Sequence, residues 1–284
     1  MNIPVLRTRA AAAPLIVALV TGFVTTASPA SADVPGRVVV SDTSDSNSND
    51  KGAEVACPDA KRVIGTGAEI IGDVAGGVGG DVVIDEVIPT GTTVSAYGVE
   101  TLSGTSSPWR IRVWAVCGYP HGTTSVRSVV TSSHPNPKEL NLDCRDGDWL
   151  LGSGYQMEGA RGNVSVTDLV PTLDSVWVQT KENHRGYGGN YSLRLFAICA
   201  EERPAGLQVV QEETEENSSN KGTLVSCPEG KLALGAGFSI PGAAGETALI
   251  EFVPTSRAVS ATANELSSTT REWSVVAYAT CASE

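Results

Sequence analysis

Beyond its first thirty or so residues the chain alternates apolar and polar positions with a period of two, in short bursts. In the best example Trp109, Ile111, Val113, Ala115 and Cys117 fall on one face, while Arg110, Arg112, Trp114 and Val116 fall on the other. Successive side chains of a strand point to opposite faces, so this pattern predicts a half-buried β-strand. Val38–Val40, Arg62–Ile70, Val82–Ile88 and Thr93–Val99 read the same way, and no stretch after the leader carries a 3.6-residue apolar stripe. Short strands separated by Gly, Pro, Ser and Asn at intervals of about 8–12 residues predict an all-β sandwich or barrel.

The bursts are one unit written three times. Eight residues after Cys57, Cys144 and Cys227 stands a Gly-x-Gly: Gly65-Thr66-Gly67, Gly152-Ser153-Gly154 and Gly235-Ala236-Gly237. An acid then precedes a Pro-Thr by three residues, as Glu86 before Pro89, Asp168 before Pro171 and Glu251 before Pro254. The second cysteine of each copy (Cys117, Cys199, Cys281) follows a ring at −8 (Trp109, Tyr191, Trp273) and another at −3 (Trp114, Phe196, Tyr278), with Glu100, Glu182 and Glu265 farther upstream. Coincidences at so many fixed offsets establish an internal triplication. We divide the chain into a leader at 1–32 and repeats at 33–118, 119–203 and 204–284.

The leader reads as an export signal. Arg7 and Arg9 precede an apolar run from Ala10 to Val24, and Ala30-Ser31-Ala32 supplies a small-residue cleavage site before Asp33. That run is shorter than the roughly 20 residues a membrane-spanning helix needs, so no membrane insertion is expected. An exported chain meets an oxidising compartment, where six cysteines read as three bridges. The repeat pattern pairs Cys57 with Cys117, Cys144 with Cys199 and Cys227 with Cys281, tying the second strand of each copy to its last. Two architectures satisfy these constraints. The favoured one is three small sandwiches in tandem; the alternative is three sheets about one pseudo-threefold axis, as in a β-prism. Gly-x-Gly in mid-strand fits close backbone approach near such an axis, and it also fits a bulge.

The run Cys227-Pro228-Glu229-Gly230-Lys231, followed by Gly-x-Gly and then Trp-x5-Ala-x-Cys, resembles repeats of bacterial secreted proteins of unestablished function. A second likeness is to the vitelline membrane outer layer protein, a threefold β-prism. Leu224-Val225-Ser226-Cys227-Pro228 with Gly245–Phe252 resembles one of its repeats, although Pro254 stands where that family has a cysteine. The second resemblance implies a fold, and neither implies a catalytic residue.

Composition narrows the function. The 284-residue chain carries a net charge of −12, which opposes both the counterion release behind nucleic-acid binding and attraction to anionic membranes. Neither is expected as a partner. There is no Gly-x-Ser-x-Gly elbow, no His-Glu-x-x-His and no Cys-x-x-Cys, and His121, His134 and His184 read as surface residues. No catalytic residue or metal ligand is assigned, and no cofactor is expected beyond Ca²⁺ as an option. That option would use the repeated acids (Glu86, Asp168, Glu251, with Glu100, Glu182, Glu265) or the polar run Ser41–Asp50; hairpin-tip solvation and pairing with Arg110, Arg112 or Arg194 are the plainer readings. Trp114, Phe196 and Tyr278 face away from the bridge, and would be stacking platforms if wet or core if covered. Asn163, Asn190 and Asn217 open N-x-S sequons, of little consequence behind a leader of bacterial type.

The leading expectation is a secreted, non-catalytic binding or structural protein. Its surfaces, repeated on each copy and built on Trp114, Phe196, Tyr278, Glu86, Asp168 and Glu251, would hold a glycan or cell wall multivalently. The alternatives are an inhibitor of an extracellular enzyme, acting through a loop such as Gly76–Asp81 or Asn183–Asn190, and a hydrolase with one site in repeat two around Glu182, His184 and Asp168.

Overall fold

Each copy supplies six strands. The first gives β1 (Val38–Thr43), β2 (Lys51–Ala56), β3 (Arg62–Gly72), β4 (Val82–Pro89), β5 (Thr93–Glu100) and β6 (Trp109–Gly118). The second gives β7 (Thr124–Val130), β8 (Glu139–Asp143), β9 (Trp149–Glu158), β10 (Val164–Pro171), β11 (Ser175–Glu182) and β12 (Ser192–Ala200). The third gives β13 (Gln208–Glu213), β14 (Lys221–Ser226), β15 (Lys231–Ser239), β16 (Thr247–Pro254), β17 (Ala258–Glu265) and β18 (Val276–Ser283). This computed structural model describes residues 34–72, 80–242 and 245–284, none of them helical. The leader and the expected cleavage point before Asp33 lie outside the described residues.

Within the first copy, β1, β6 and β3 form one antiparallel half and β2, β5 and β4 another. The halves face each other through the apolar side of the period-two pattern: Trp109, Ile111, Val113 and Ala115 are fully buried against Val94 and Ala96. Gly98 makes room for the Trp109 ring, since a Cβ there would lie 2.9 Å from it. The expected bridges are present. Cys57–Cys117, Cys144–Cys199 and Cys227–Cys281 span 60, 55 and 54 residues and join the end of the second strand to the last strand, hence one half to the other.

The favoured tandem arrangement is corrected by the sheet topology. Each copy is indeed a two-layered sandwich, but the sandwiches are fused edge to edge. Strand β3 pairs with β16, β9 with β4, and β15 with β10, so every six-stranded sheet takes three strands from each of two copies. The three junctions are cyclic, which gives the pseudo-threefold alternative. A free sandwich of two three-stranded halves would leave four sheet edges with unpaired backbone groups; pairing one edge of each half with a neighbouring copy removes two of them.

The Gly-x-Gly motif shows why the ring closes. The register of β3, β9 and β15 slips by one residue just before the first glycine, so Ile64, Leu151 and Leu234 are bulged and buried. Their carbonyls point at the glycines of neighbouring copies. A Cβ on Gly152 would lie 2.6 Å from the Ile64 oxygen and 2.8 Å from the Gly65 Cα; one on Gly65 would strike Leu234, and one on Gly235 would strike Leu151. Bulge and close approach are therefore both realised, and only glycine lets three backbones meet at one axis. Beside the axis Tyr155, Phe238 and Phe252 cluster with centroids 5.3–6.5 Å apart. Across the junctions Phe252 faces Ala68, Tyr155 faces Val87 and Phe238 faces Leu169, all of them buried.

Candidate functional site

The three acids before Pro-Thr stand where the copies join. On the strand facing each acid from the next copy, Glu86 meets Gln156, Asp168 meets Ser239 and Glu251 meets Glu69. The aromatic triad lies one strand farther on, also on the outer faces. Trp114, Phe196 and Tyr278 pair with Gly67, Gly154 and Gly237 and are half-buried, neither core nor fully wet. The acid of one copy and the ring of the next are thus brought to one sheet face, and Asp168 is close enough to Tyr278 to help burial push the phenol upward. The equivalent positions have diverged in chemistry.

The second and third copies share the most developed face. A cleft of about 370 Å³ lies beside their junction, lined by Thr167 and Asp168 of β10, Trp177, Gln179 and Lys181 of β11, and Ser239 with the following loop. The Asp168 carboxylate is buried but satisfied, accepting from Ser239 Oγ at 2.5 Å and Thr167 Oγ1 at 2.7 Å. Trp177 is half-exposed, and its indole N–H donates to Glu139 Oε1 at 2.8 Å, which fixes the ring plane. A fixed ring beside an amide, an ammonium, a carboxylate and a hydroxyl can stack an apolar ring face and hydrogen-bond its edge. Trp177 escapes the repeat logic because the other copies have Ser95 and Ser260 at that position; the signal was its departure from the repeat.

The other two faces differ. On the first, Glu251 accepts from the Ser260 hydroxyl and from Thr262 Oγ1 at 3.1 Å, and Glu69 pairs with Arg112 at 3.5 Å. Burial, reinforced by Glu251, raises the Glu69 carboxyl, while Arg112 opposes the shift. Arg112 also lies 5.7 Å from the centre of the Trp114 ring, and the Trp114 indole N–H is buried without a partner. On the third face burial raises Glu86, Gln156 opposes it by hydrogen bonding, and Glu158 adds to it.

In the first copy the second repeated acid, Glu100, belongs to a latch. Lys51 donates to the carbonyls of Asn47 and Trp109 and sits 3.6 Å from the centre of the Trp109 ring, while Glu100 accepts from the Trp109 indole at 3.3 Å. Lys221 repeats the lysine contacts on Asn217 and Trp273, where the indole N–H and Glu265 Oε1 are buried without a hydrogen-bond partner, and Lys138 caps Tyr191 while donating to the His134 carbonyl. His134 therefore occupies the position of Asn47 and Asn217. The polar run Ser41–Asp50 begins in β1 and turns into this latch, with Asn47 Oδ1 accepting from the Asn49 N–H and Asp50 Oδ1 from that of Glu100. Among the described residues no group of three or more His, Cys, Asp or Glu is arranged to hold a metal.

The residues of the two alternative functions are placed separately. Asp168 lies in the cleft, whereas His184 is at another surface beside Leu102 and Leu266, and Glu182 accepts from the Tyr187 N–H at 2.9 Å. Of the loops considered for an inhibitor, Gly76–Gly79 lie outside the described residues, and Asn183 of the second is buried. The sequon at Asn163 is buried at both Asn163 and Ser165.

No protein-family model matches the chain, and no curated protein matches it significantly. The three disulfides point to an oxidising environment, and no described helix is long and apolar enough to cross a membrane.

Proposed function

We propose that this is a secreted, non-catalytic binding protein that attaches to a glycan or a glycan-covered surface through the outer faces of its fused sheets. The observation that carries this reading is the cleft beside the junction of copies two and three, where Trp177 offers a fixed ring face and Asp168, Gln179, Lys181 and Ser239 offer polar groups around it. Sugars present this combination of an apolar face and a hydroxyl-rich edge. The groups stand on strands of a disulfide-stapled framework, so little ordering cost falls on the protein when a ligand enters. Further outer faces on the same rigid ring let weak contacts add through effective concentration.

A glycan array and a pull-down with insoluble cell-wall polysaccharide test the reading. Binding is expected, and Trp177→Ala should weaken it by about tenfold or more, the scale of one lost stacking contact. A chain that retains no glycan, or that instead forms a tight one-to-one complex with an extracellular protease, would overturn it.

A further inference from the structure

The outer face joining copies one and two has a different chemistry from the Trp177 cleft. A groove of about 290 Å³ runs across β2, β5 and β4 there, with Glu54, Glu86 and Tyr97 on its walls and Gly52 opening its floor. Tyr97 pairs directly with Glu86 across the strands and keeps 38% of its surface exposed. Behind them lies Asp85, the extra residue of a bulge in β4. Its counterpart in copy two, Thr167, lines the Trp177 cleft beside Asp168; in copy one the bulge sets Asp85 next to Glu86, directly behind the residues that line the groove. Asp85 is only 6% exposed, and its Oδ1 accepts no hydrogen bond.

The charges that act most strongly on these groups are negative, and the cation on this face, Arg194 of β12, stands beyond Gln156, two strands from Glu86. Asp50 and Glu86 act on Asp85, Glu158 of β9 acts on Glu86, and Asp50, Glu86 and Asp85 together add to burial in raising the Tyr97 phenol. Gln156 is the neutral donor that partly satisfies Glu86, and Tyr155 faces Asp85 from the interior side. An acceptor without a donor, inside a negative field and beside an exposed ring, is complementary to a cation that brings its own N–H groups. The carboxylates do not converge as a metal site would require.

We propose that this groove binds a protonated amino sugar, with the sugar ring on Tyr97 and its ammonium donating to Glu86 and Asp85. The inference rests on the glycan-binding reading but uses a separate face. An ammonium that ionises Asp85 displaces its proton to solvent, so binding releases a proton.

Titration calorimetry of the intact secreted chain at pH 6 tests this with two probes, a β-1,4-linked glucosamine trimer and cellotriose, which differ in ammonium against hydroxyl. The glucosamine trimer should bind about tenfold more tightly or better, the scale of one charge-assisted hydrogen bond. Its apparent enthalpy should change between buffers of different ionisation heat. Glu86→Gln and Tyr97→Ala should each remove the preference. Equal affinity for the two trimers, or a preference that survives both groove variants, overturns the inference while leaving the wider reading standing. Binding of no saccharide on any face removes both.

Discussion

Asp85 offers a test of the packing that does not depend on any ligand. Its carboxyl is buried at a sheet bulge beside Glu86 and Asp50, and burial, then those two charges, push it up to about 8 from an ordinary value of 3.8. Between those values the folded chain holds a proton that the unfolded chain has released, so stability falls as pH rises through the window, by about 1.4 kcal/mol per pH unit for one proton. From pH 4.5 to 7.5 the expected loss from this residue is about 4 kcal/mol, and it levels off above pH 8. Asp85→Asn keeps the shape and removes the titration. Urea unfolding of both proteins at pH 4.5, 6 and 7.5 should give a stability difference that grows by about 4 kcal/mol in favour of the variant across the series. A difference that stays constant with pH would show that Asp85 ionises in the fold as it does in the open chain, and would refute the burial argument.

Two further predictions concern the framework. Gly152→Ala places a methyl against the backbone of the first copy at the axis and should cost about 3 kcal/mol or more, whereas Gly188→Ala, with open space around it, should change the urea midpoint little. Replacing Cys227 and Cys281 together by Ser removes the covalent tie between the two halves of the third sandwich and should cost about 2–4 kcal/mol in the same assay; an unchanged midpoint would mean that core packing and pairing with the neighbouring copies hold the halves without it.

The strands with a two-sided environment were legible in the sequence. Trp109–Gly118 and Thr93–Glu100 bury one face fully and leave most of the other partly exposed, and the alternation of residues writes that difference directly. The strands β2, β8 and β14 left a fainter trace: each is a short edge strand with a single buried side chain, Val55, Leu142 or Val225, so the apolar pattern has almost nothing to mark. The cysteine pairing was also legible, because triplication supplies three independent copies of one spacing.

Which acid meets which neighbour was not written in any one copy. Glu86, Asp168 and Glu251 sit at fixed offsets, yet their surroundings are completed by Gln156, Ser239 and Glu69 from another repeat, and local sequence carries no term for such a pairing. The same holds for the choice between sandwiches in a row and a closed ring. Both bury the same alternating faces, and the decision falls to backbone contacts at Gly65, Gly152 and Gly235, where the absence of a side chain permits three strands to touch. Residues determined the strands and their crosslinks; the distance between backbones at the axis decided how the copies were assembled, and with it the composition of every outer face.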